Sequence, residues 1–293
     1  MKIKGYICAI LASVMWGTVF LVGRFTMGGG EVNPFVLAFW RCFFATAFLS
    51  CILRGRIKDA FTISGKEYII LLFLAFTGIF LFNVLIFASL KFTTATSSSI
   101  LMNANPLFIL ILAAVFLREK MNMGKIISVI TGFAGCIMVI KGTYTGYTGV
   151  INPLTGNLLA IGSALCWALY TVFGGGPVKK YGAVLTTFIT ISFGMLMLLF
   201  MMFLMRINFW DIGRSVFLAG AYLGIVPAGI GFTLWYNALK YIDAGELGIF
   251  QYLASVVTAI LAVIFLKESL NVLMLVGMSL VFLSLYLPKI QKE

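Results

Sequence analysis

VFLREKMN (Val115–Asn122) and IFLKESLN (Ile264–Asn271) are two copies of one short pattern. Each copy ends an apolar run with a basic residue, continues with Glu119 or Glu268, and closes with a similar tail. The second copy begins 149 positions after the first. A charged stop that occurs twice, at the end of two similar apolar runs, predicts that the chain contains the same structural unit twice.

The amino-acid composition indicates a membrane as the surroundings of this unit. Of the 293 residues, 62% are hydrophobic and 10% are charged. A soluble domain carries about 25% charged residues, so this chain has too few charges to cover a water-facing surface. The five cysteines fall in apolar runs without a CxxC pair, which is typical of small buried side chains rather than a metal site or a disulfide set. We therefore expect an integral membrane protein.

Ten apolar runs are long enough for membrane-spanning helices, which need about 20 mostly apolar residues. They do not alternate apolar and polar residues in segments of about 10, as the strands of a membrane barrel would. The sequence therefore predicts an all-α integral membrane protein with ten transmembrane helices. The runs lie near residues 5–27, 33–53, 67–90, 95–117, 123–141, 154–175, 183–205, 216–239, 244–266 and 271–288.

The distribution of lysine and arginine predicts how these runs are oriented. With both termini in the cytoplasm, most basic residues of the short loops lie inside, as the positive-inside rule requires. Five spans then separate the two octets, which places Arg118 inside and Lys267 outside. We therefore predict two five-helix repeats, 5–141 and 154–288, in opposed orientation. Such inverted repeats hold a substrate site near mid-membrane, between halves that open alternately.

The repeated residues resemble a known family. Trp16 and Trp167 in spans one and six, Pro106 in span four, and the LREK and LKES closures resemble the EamA-type transporters of the drug/metabolite transporter superfamily. The resemblance implies a ten-helix carrier of the bacterial inner membrane that moves amino acids, other small metabolites or toxic compounds, often outward. It also implies a central cavity lined mainly by spans 1, 3, 4, 6, 8 and 9. Ser255 stands where the second half should repeat Pro106, so a symmetric kink is not implied.

Span four carries two carboxamides close to its proline. Asn103 and Asn105 lie at mid-membrane depth, where polar groups must be hydrogen-bonded internally or line a wet cavity. Pro106 removes a backbone donor and crowds the carbonyl of Met102. One interpretation is that Asn103 and Asn105 bind substrate. The other is a static kink whose open carbonyl is bonded by Asn103 or by a neighbouring helix.

Aromatic and amide side chains of other spans are further candidates. Trp16, Trp167 and Tyr170 lie in mid-span and either wall a cavity that holds an apolar or cationic group or pack as ordinary core. In span nine, Tyr252 corresponds to the span-four carboxamide, and Gln251 lies beside it. Gln251 bonds either to a substrate or to a neighbouring helix, because small residues on this face also favour close helix packing.

Span eight contains the helix-breaking residues Gly224, Pro227 and Gly231. These residues tolerate a bent or unwound segment, which carriers often have near their sites, and a static kink is the alternative. Trp235 and Tyr236 lie near the end of the same span. Their position predicts an aromatic belt at the membrane interface.

Arg41 is a basic residue inside a predicted span. It lies about 12 Å below the outer end of span two, at 1.5 Å rise per residue, which is deeper than a guanidinium reaches by snorkelling. An intramembrane charge is a functional hypothesis by default. Arg41 either binds a substrate carboxylate or bonds to the carbonyls of a helix C-terminus. Asn83 in span three is a lone polar residue that either binds substrate or joins two helices.

The sequence also excludes several classes of function. No acidic residue lies in mid-span and histidine is absent, so there is no general base or metal-ligand set for a membrane enzyme. Asp243 and Glu246 have the spacing of a helix-capping box, and proton coupling is the alternative role for Glu246. Basic residues are scattered rather than clustered, unlike those of a nucleic-acid-binding protein. We expect no enzyme activity, cofactor, metal or nucleic acid.

Together these features predict a secondary carrier that works by alternating access. We expect it to move a small metabolite, an amino acid or related zwitterion, in the outward direction. One alternative is an exporter of cationic or amphiphilic drugs or amines, and another is a membrane scaffold or sensor that transports nothing. Its expected partners are the small-molecule substrate and the lipid bilayer, with the protein as a monomer or weak dimer.

Overall fold

The fold is described from a computed structural model of the chain. The described residues are 2–27, 32–55, 58, 63, 65–102, 104–116, 123–146, 152–208, 213–242, 247, 250–267 and 270–290. The regular elements within these ranges are helices, without a strand. The predicted all-α architecture is therefore confirmed.

In the first half, the described residues form seven α-helices and one π-helix. They are α1 (Lys2–Met27), α2 (Pro34–Leu53), α3 (Gly65–Leu74), π1 (Ala75–Leu81), α4 (Phe82–Phe92), α5 (Ala95–Met102), α6 (Asn105–Phe116) and α7 (Met123–Gly146). The elements α3, π1 and α4 follow one another without a break and form the third span. The elements α5 and α6 form the fourth span, interrupted just before Pro106.

The described residues of the second half form helices in a similar order and include a second π-helix. Its elements are α8 (Pro153–Tyr181), α9 (Ala183–Leu204), α10 (Arg214–Leu223), π2 (Gly224–Gly231), α11 (Phe232–Ala238), α12 (Gln251–Leu266) and α13 (Val272–Ile290). The elements α10, π2 and α11 are continuous and form the eighth span.

Seven helical runs among the described residues are long and apolar enough to cross a membrane, and shorter apolar helices cover Val256–Leu266 and Val272–Ser284. Side chains such as Ile130, Phe203 and Val272 lie exposed on the outside of the molecule, where hydrocarbon suits them and water does not. The count of ten spans and the opposed orientation of the halves stay predictions. The seven runs are Lys2–Met27, Pro34–Leu53, Glu67–Phe92, Ala95–Phe116, Pro153–Tyr181, Ala183–Leu204 and Arg214–Ala238.

Side-chain caps define where several helices begin. Asn33 accepts a hydrogen bond from the backbone N–H of Phe35 at the start of α2, and such caps satisfy one of the free donors of a first helical turn. At the start of α5 the backbone N–H of Ser97 donates to the Thr94 hydroxyl at 3.1 Å, which is a cap of the same kind. The equivalent pair in the second half, Asp243 and Glu246, lies outside the described residues.

Helices from the two halves pack against each other around one core. Helix α1 contacts α11 and α12, α2 contacts α9 and α10, and α4 contacts α8. The main hydrophobic cluster accordingly draws on both halves. Helices α7 and α13 pack mainly on each other. The centre of the molecule is therefore a boundary between the halves, and a site at the centre takes residues from both.

The two π-helices occupy corresponding places in the halves. They begin at Ala75 and Gly224, which are 149 positions apart, the same offset as the two octets. A π turn inside an α-helix shifts the hydrogen-bond ladder and is frequent at functional sites. Gly78 in π1 lies against the Tyr170 ring, and a Cβ there would overlap the ring. Close approach of the halves at π1 therefore requires glycine.

Candidate functional site

A small cavity lies at the boundary between the two halves. Counted as the space open to the centre of a water molecule, it measures about 20 Å³, which is room for one water molecule. A larger solute enters only when the lining side chains separate. The lining residues are Trp16, Val19, Phe20, Arg41, Phe82, Ile86 and Met102 from the first half, and Trp167, Phe232 and Gln251 from the second.

Five aromatic residues line this cavity, and we call four of them, Trp16, Phe82, Trp167 and Phe232, the aromatic cage. The Trp16 and Trp167 ring centroids are 5.2 Å apart at an interplanar angle of 81°, and Trp167 lies 5.2 Å from Phe82 and 5.0 Å from Phe232. These distances are typical of favourable aromatic pairs. Trp16 and Trp167 are therefore in direct contact across the two halves.

Arg41 brings a charge to the cavity wall. Its residue is 2% exposed, its Nη1 donates to Asn83 Oδ1 at 2.7 Å, and its guanidinium lies 5.4 Å from the Phe232 ring centroid. Its Nε has no hydrogen-bond partner. In the part of the chain that the structure describes, no carboxylate pairs with it. The described hydrogen bond of Arg41 goes to the side chain of Asn83 and not to the carbonyls of a helix C-terminus, which was the alternative.

Each π-helix is tied to a cavity residue through a backbone carbonyl. Asn83 Nδ2 donates to the carbonyl of Ile79 in π1 at 2.6 Å, while its oxygen holds Arg41. Trp16 Nε1 donates to the carbonyl of Pro227 in π2 at 2.9 Å. Movement of either cavity side chain is therefore linked to the backbone of a π-helix. Asn83 itself does not line the cavity, and it connects α4 with α2 as the interhelical interpretation expects.

Gln251 is an unsatisfied amide at the cavity wall. Its side chain is fully buried at the start of α12, and neither its oxygen nor its nitrogen has a hydrogen-bond partner. The indole Nε1 of Trp167 is also without an acceptor. Buried polar groups without partners cost about 1–3 kcal/mol each. The cavity wall thus offers three unused donor groups, counting the Arg41 Nε, and one unused acceptor.

Comparison with known proteins identifies the family to which this site belongs. The EamA-like transporter family matches residues 3–141 and again 154–288. The chain belongs to the EamA-like transporter family. An uncharacterized transporter of Archaeoglobus fulgidus is 29% identical over 292 residues, covering 98% of each chain. The uncharacterized transporter YyaM of Bacillus subtilis is 29% identical over 262 residues, covering 88% of this chain and 84% of its own length.

A solved crystal structure supports the fold of this EamA-like protein. It matches 99% of this chain and 98% of its own with a TM-score of 0.71 at 20% identity. Identity this low carries the fold alone. Family membership, the named relatives and the apolar helices together make the protein a multi-pass membrane transporter.

The remaining predicted site residues of this EamA-like protein either lie away from the cavity or have side chains that the structure does not describe. Asn103 lies outside the described residues, and Tyr252 belongs to α12 but its side chain is not described. Asn105 is buried and donates through Nδ2 to the Met102 carbonyl at 3.1 Å, so it bonds the carbonyl that Pro106 opens. Tyr170 lies behind the cage, where its hydroxyl is 3.1 Å from Thr190 Oγ1.

The expected kink residues all mark irregular backbone. Pro106 lies in the first turn of α6, just after the interruption of the fourth span. Gly224 begins π2 and Gly231 ends it. A Cβ on Gly231 would lie 2.8 Å from Trp16 Nε1, so glycine allows the indole to reach the Pro227 carbonyl. A hinge motion at these positions stays a prediction.

The expectation of an interface belt for Trp235 and Tyr236 is wrong. Both side chains have no exposed surface. The Trp235 ring lies 4.9 Å from Trp16, and Tyr236 stacks on Tyr170 at 4.9 Å with an interplanar angle of 18°. Position near a span end does not reveal which helix face a residue occupies, and both rings face the interior.

Two cage residues carried no signal in the sequence. Phe82 and Phe232 complete the aromatic walls, but the sequence contains 28 phenylalanines, so neither stands out without its neighbours in space. Within the described ranges, no group of three or more His, Cys, Asp or Glu could hold a metal ion. The chemistry available to this cavity is therefore a buried guanidinium, neutral hydrogen-bonding groups and aromatic faces.

Proposed function

We propose that this EamA-like protein carries an amino acid or related zwitterion across the bacterial inner membrane, outward and by alternating access. The observation that carries the proposal is Arg41, a buried guanidinium on the cavity wall with no acidic partner among the described residues. Buried charges are stable when they are paired and hydrogen-bonded. A substrate carboxylate supplies that pair and an acceptor for the unused Nε.

The opposite end of such a substrate meets neutral groups. An ammonium group can donate to the unused oxygen of Gln251 and lie against the faces of Trp16 and Trp167, which attract cations. A solute with only a positive charge would instead add to the charge of Arg41 at short range. The cavity therefore favours a zwitterion over the cationic drugs and amines that the sequence left open.

We assign the closure of the cavity toward the cytoplasm to a contact between the two halves. Lys180 at the end of α8 forms an ion pair with Glu67 at the start of α3, and the Tyr181 hydroxyl donates to the same carboxylate. With the termini in the cytoplasm, these residues lie at the inner surface. Breaking this contact and separating the cage rings would open the cavity inward, while the halves rock about the centre.

The experiment that tests the proposal is solute exchange by purified protein in liposomes. Liposomes loaded with an unlabelled amino acid take up the same amino acid in labelled form, because both uniport and exchange register in this format. A matched trio of competitors probes the two ends of the site: the amino acid, its amide, and the carboxylic acid without the amine. We expect the amino acid to compete best and the amide, which lacks the carboxylate, to compete least.

Two results would contradict the proposal. Equal competition by the amino acid and its amide would remove the role of the carboxylate. Uptake of amines and amphiphilic cations, with no uptake of any amino acid in a full panel, would favour the drug exporter. Direction is tested in cells loaded with the labelled substrate. Expressing cells should lose label faster than vector cells, and equal loss would refute outward transport.

A further inference from the structure

We infer that this carrier works by exchange: its site crosses the membrane much faster with a carboxylate-bearing solute than without one. The inference rests on the proposed function and specifies its transport mode. It depends on the charge balance around Arg41, on the depth of that charge and on the closed state of the cavity.

The groups that face the Arg41 guanidinium are all neutral in the described residues. Asn83 and Phe87 approach from α4, and Phe232 approaches from α11. Trp16 and Gln251 share the same cavity from α1 and α12. The single acidic residue within the described ranges, Glu67, is paired with Lys180 at a helix end. The protein's own described groups therefore leave the charge of Arg41 uncompensated.

Because Arg41 is buried, the lack of a counter-ion for its charge affects the transport cycle. When the cavity closes, Arg41 is 2% exposed and the lining side chains leave space for about one water molecule. An ion removed from water without a partner is unstable, and a close, hydrogen-bonded counter-ion offsets part of that cost. A bound carboxylate is such a counter-ion. The closed intermediate between the two open states is therefore reached more easily with substrate than without.

This difference separates two transport modes. Net movement of substrate requires the site to return without it, through a closed state with an unpaired guanidinium. Exchange of one substrate for another avoids that step, because the site is loaded in both directions. The amine of a zwitterionic substrate does not cancel the stabilisation of Arg41 by the carboxylate. The amine stays close to the carboxylate of the same molecule and contacts the aromatic cage and Gln251.

The test measures efflux from proteoliposomes loaded with the labelled amino acid that competes best in the exchange assay. Label leaves into buffer alone or into buffer with the same unlabelled amino acid. We expect efflux at least fivefold faster with external amino acid, and a smaller ratio in wild-type protein overturns the inference. Absence of efflux in both conditions, together with absence of uptake in loaded liposomes, counts against the proposed function instead, and the inference falls with it.

Asn83→Asp provides the sharper variant. Asn83 Oδ1 already accepts from Arg41 at 2.7 Å, so aspartate places a carboxylate beside the guanidinium. The site then carries its own counter-ion, return without substrate becomes easier, and the efflux ratio should fall below twofold. The matched control is Asn157→Asp, which adds the same charge to a fully buried asparagine of α8 away from the cavity. We expect this control to keep the wild-type ratio.

A second variant keeps the inference testable if Asn83→Asp does not fold. Arg41→Gln removes the charge and should also lower the ratio below twofold. Its control is Arg24→Gln, since Arg24 donates to the Leu90 carbonyl and does not line the cavity. A folded variant of either kind that retains the wild-type ratio would overturn the inference, because neither the missing counter-ion nor the charge would then limit return.

Discussion

Replacing Arg41 with glutamine separates a binding role from a structural one. The glutamine amide ends near the position of Arg41 Nε, so it reaches Asn83 Oδ1 only after Asn83 moves toward it, and the positive charge at the cavity is lost. Removing one member of a buried, hydrogen-bonded charge pair costs about 2–5 kcal/mol. At 1.4 kcal/mol per tenfold, this range corresponds to about 30-fold to about 4,000-fold weaker binding. Because Arg41 is 2% exposed, solvent screening does not reduce the effect.

The same substitution should leave the protein as stable as before. Arg41 has one hydrogen bond and contacts the rings of Phe87 and Phe232, and the lost cation–π contacts are worth about 0.5–2 kcal/mol. Removing a buried charge that has no counter-ion releases a desolvation cost of several kcal/mol. We therefore expect an unchanged or higher melting temperature for Arg41→Gln. Arg41→Lys keeps the charge without the planar fork and should bind substrate with intermediate affinity.

Two measurements on purified protein decide between these roles. The apparent KM for amino-acid exchange in loaded liposomes should rise at least about 30-fold in Arg41→Gln, while thermal unfolding in detergent reports stability. An unchanged KM would refute the binding role. A large fall in melting temperature with equal loss of transport for every solute would make Arg41 a structural residue.

Three further predictions concern the amide, a close packing contact and the topology. Gln251→Leu should raise the KM for an amino acid about tenfold, because one polar contact is lost. The same substitution should hardly change competition by the carboxylic acid that lacks the amine. Equal effects on both solutes would refute a contact between Gln251 and the amine. Gly78→Ala, measured by thermal unfolding, should destabilise by about 1–3 kcal/mol, because the new Cβ overlaps Tyr170. Gly175→Ala meets no atom within 4 Å and should stabilise by up to about 1 kcal/mol, because alanine is the better helix former. Equal stability of both variants would contradict the contact. Reporter fusions at either terminus should report a cytoplasmic location, and an external C-terminus would refute the orientation.

The sequence predicted the all-helical membrane fold because hydropathy and helix length are local properties. Pro106, and Pro227 with the glycines of span eight, also indicated irregular backbone where the structure has it. The π-helix of span three was not predicted. Its segment AFTGIFL (Ala75–Leu81) has a single glycine and no proline, and the i to i+5 hydrogen-bond pattern depends on tertiary contacts.

The candidate site was predicted in part. Arg41, Trp16, Trp167 and Gln251 line the cavity. The sequence indicated these four because each differs chemically from the aliphatic residues around it in a predicted span. Asn105 was expected beside them but bonds the Met102 carbonyl instead. Spacing along one helix gives the face of a residue, but it does not give the partner that this face meets.

The most direct test of the proposed site is an experimental structure of the protein with its amino-acid substrate bound. We predict that the substrate lies between the two halves, with a carboxylate oxygen about 2.7–2.9 Å from a guanidinium nitrogen of Arg41 and the amine toward Gln251. A substrate bound outside this cavity, or with its carboxylate turned away from Arg41, would contradict it.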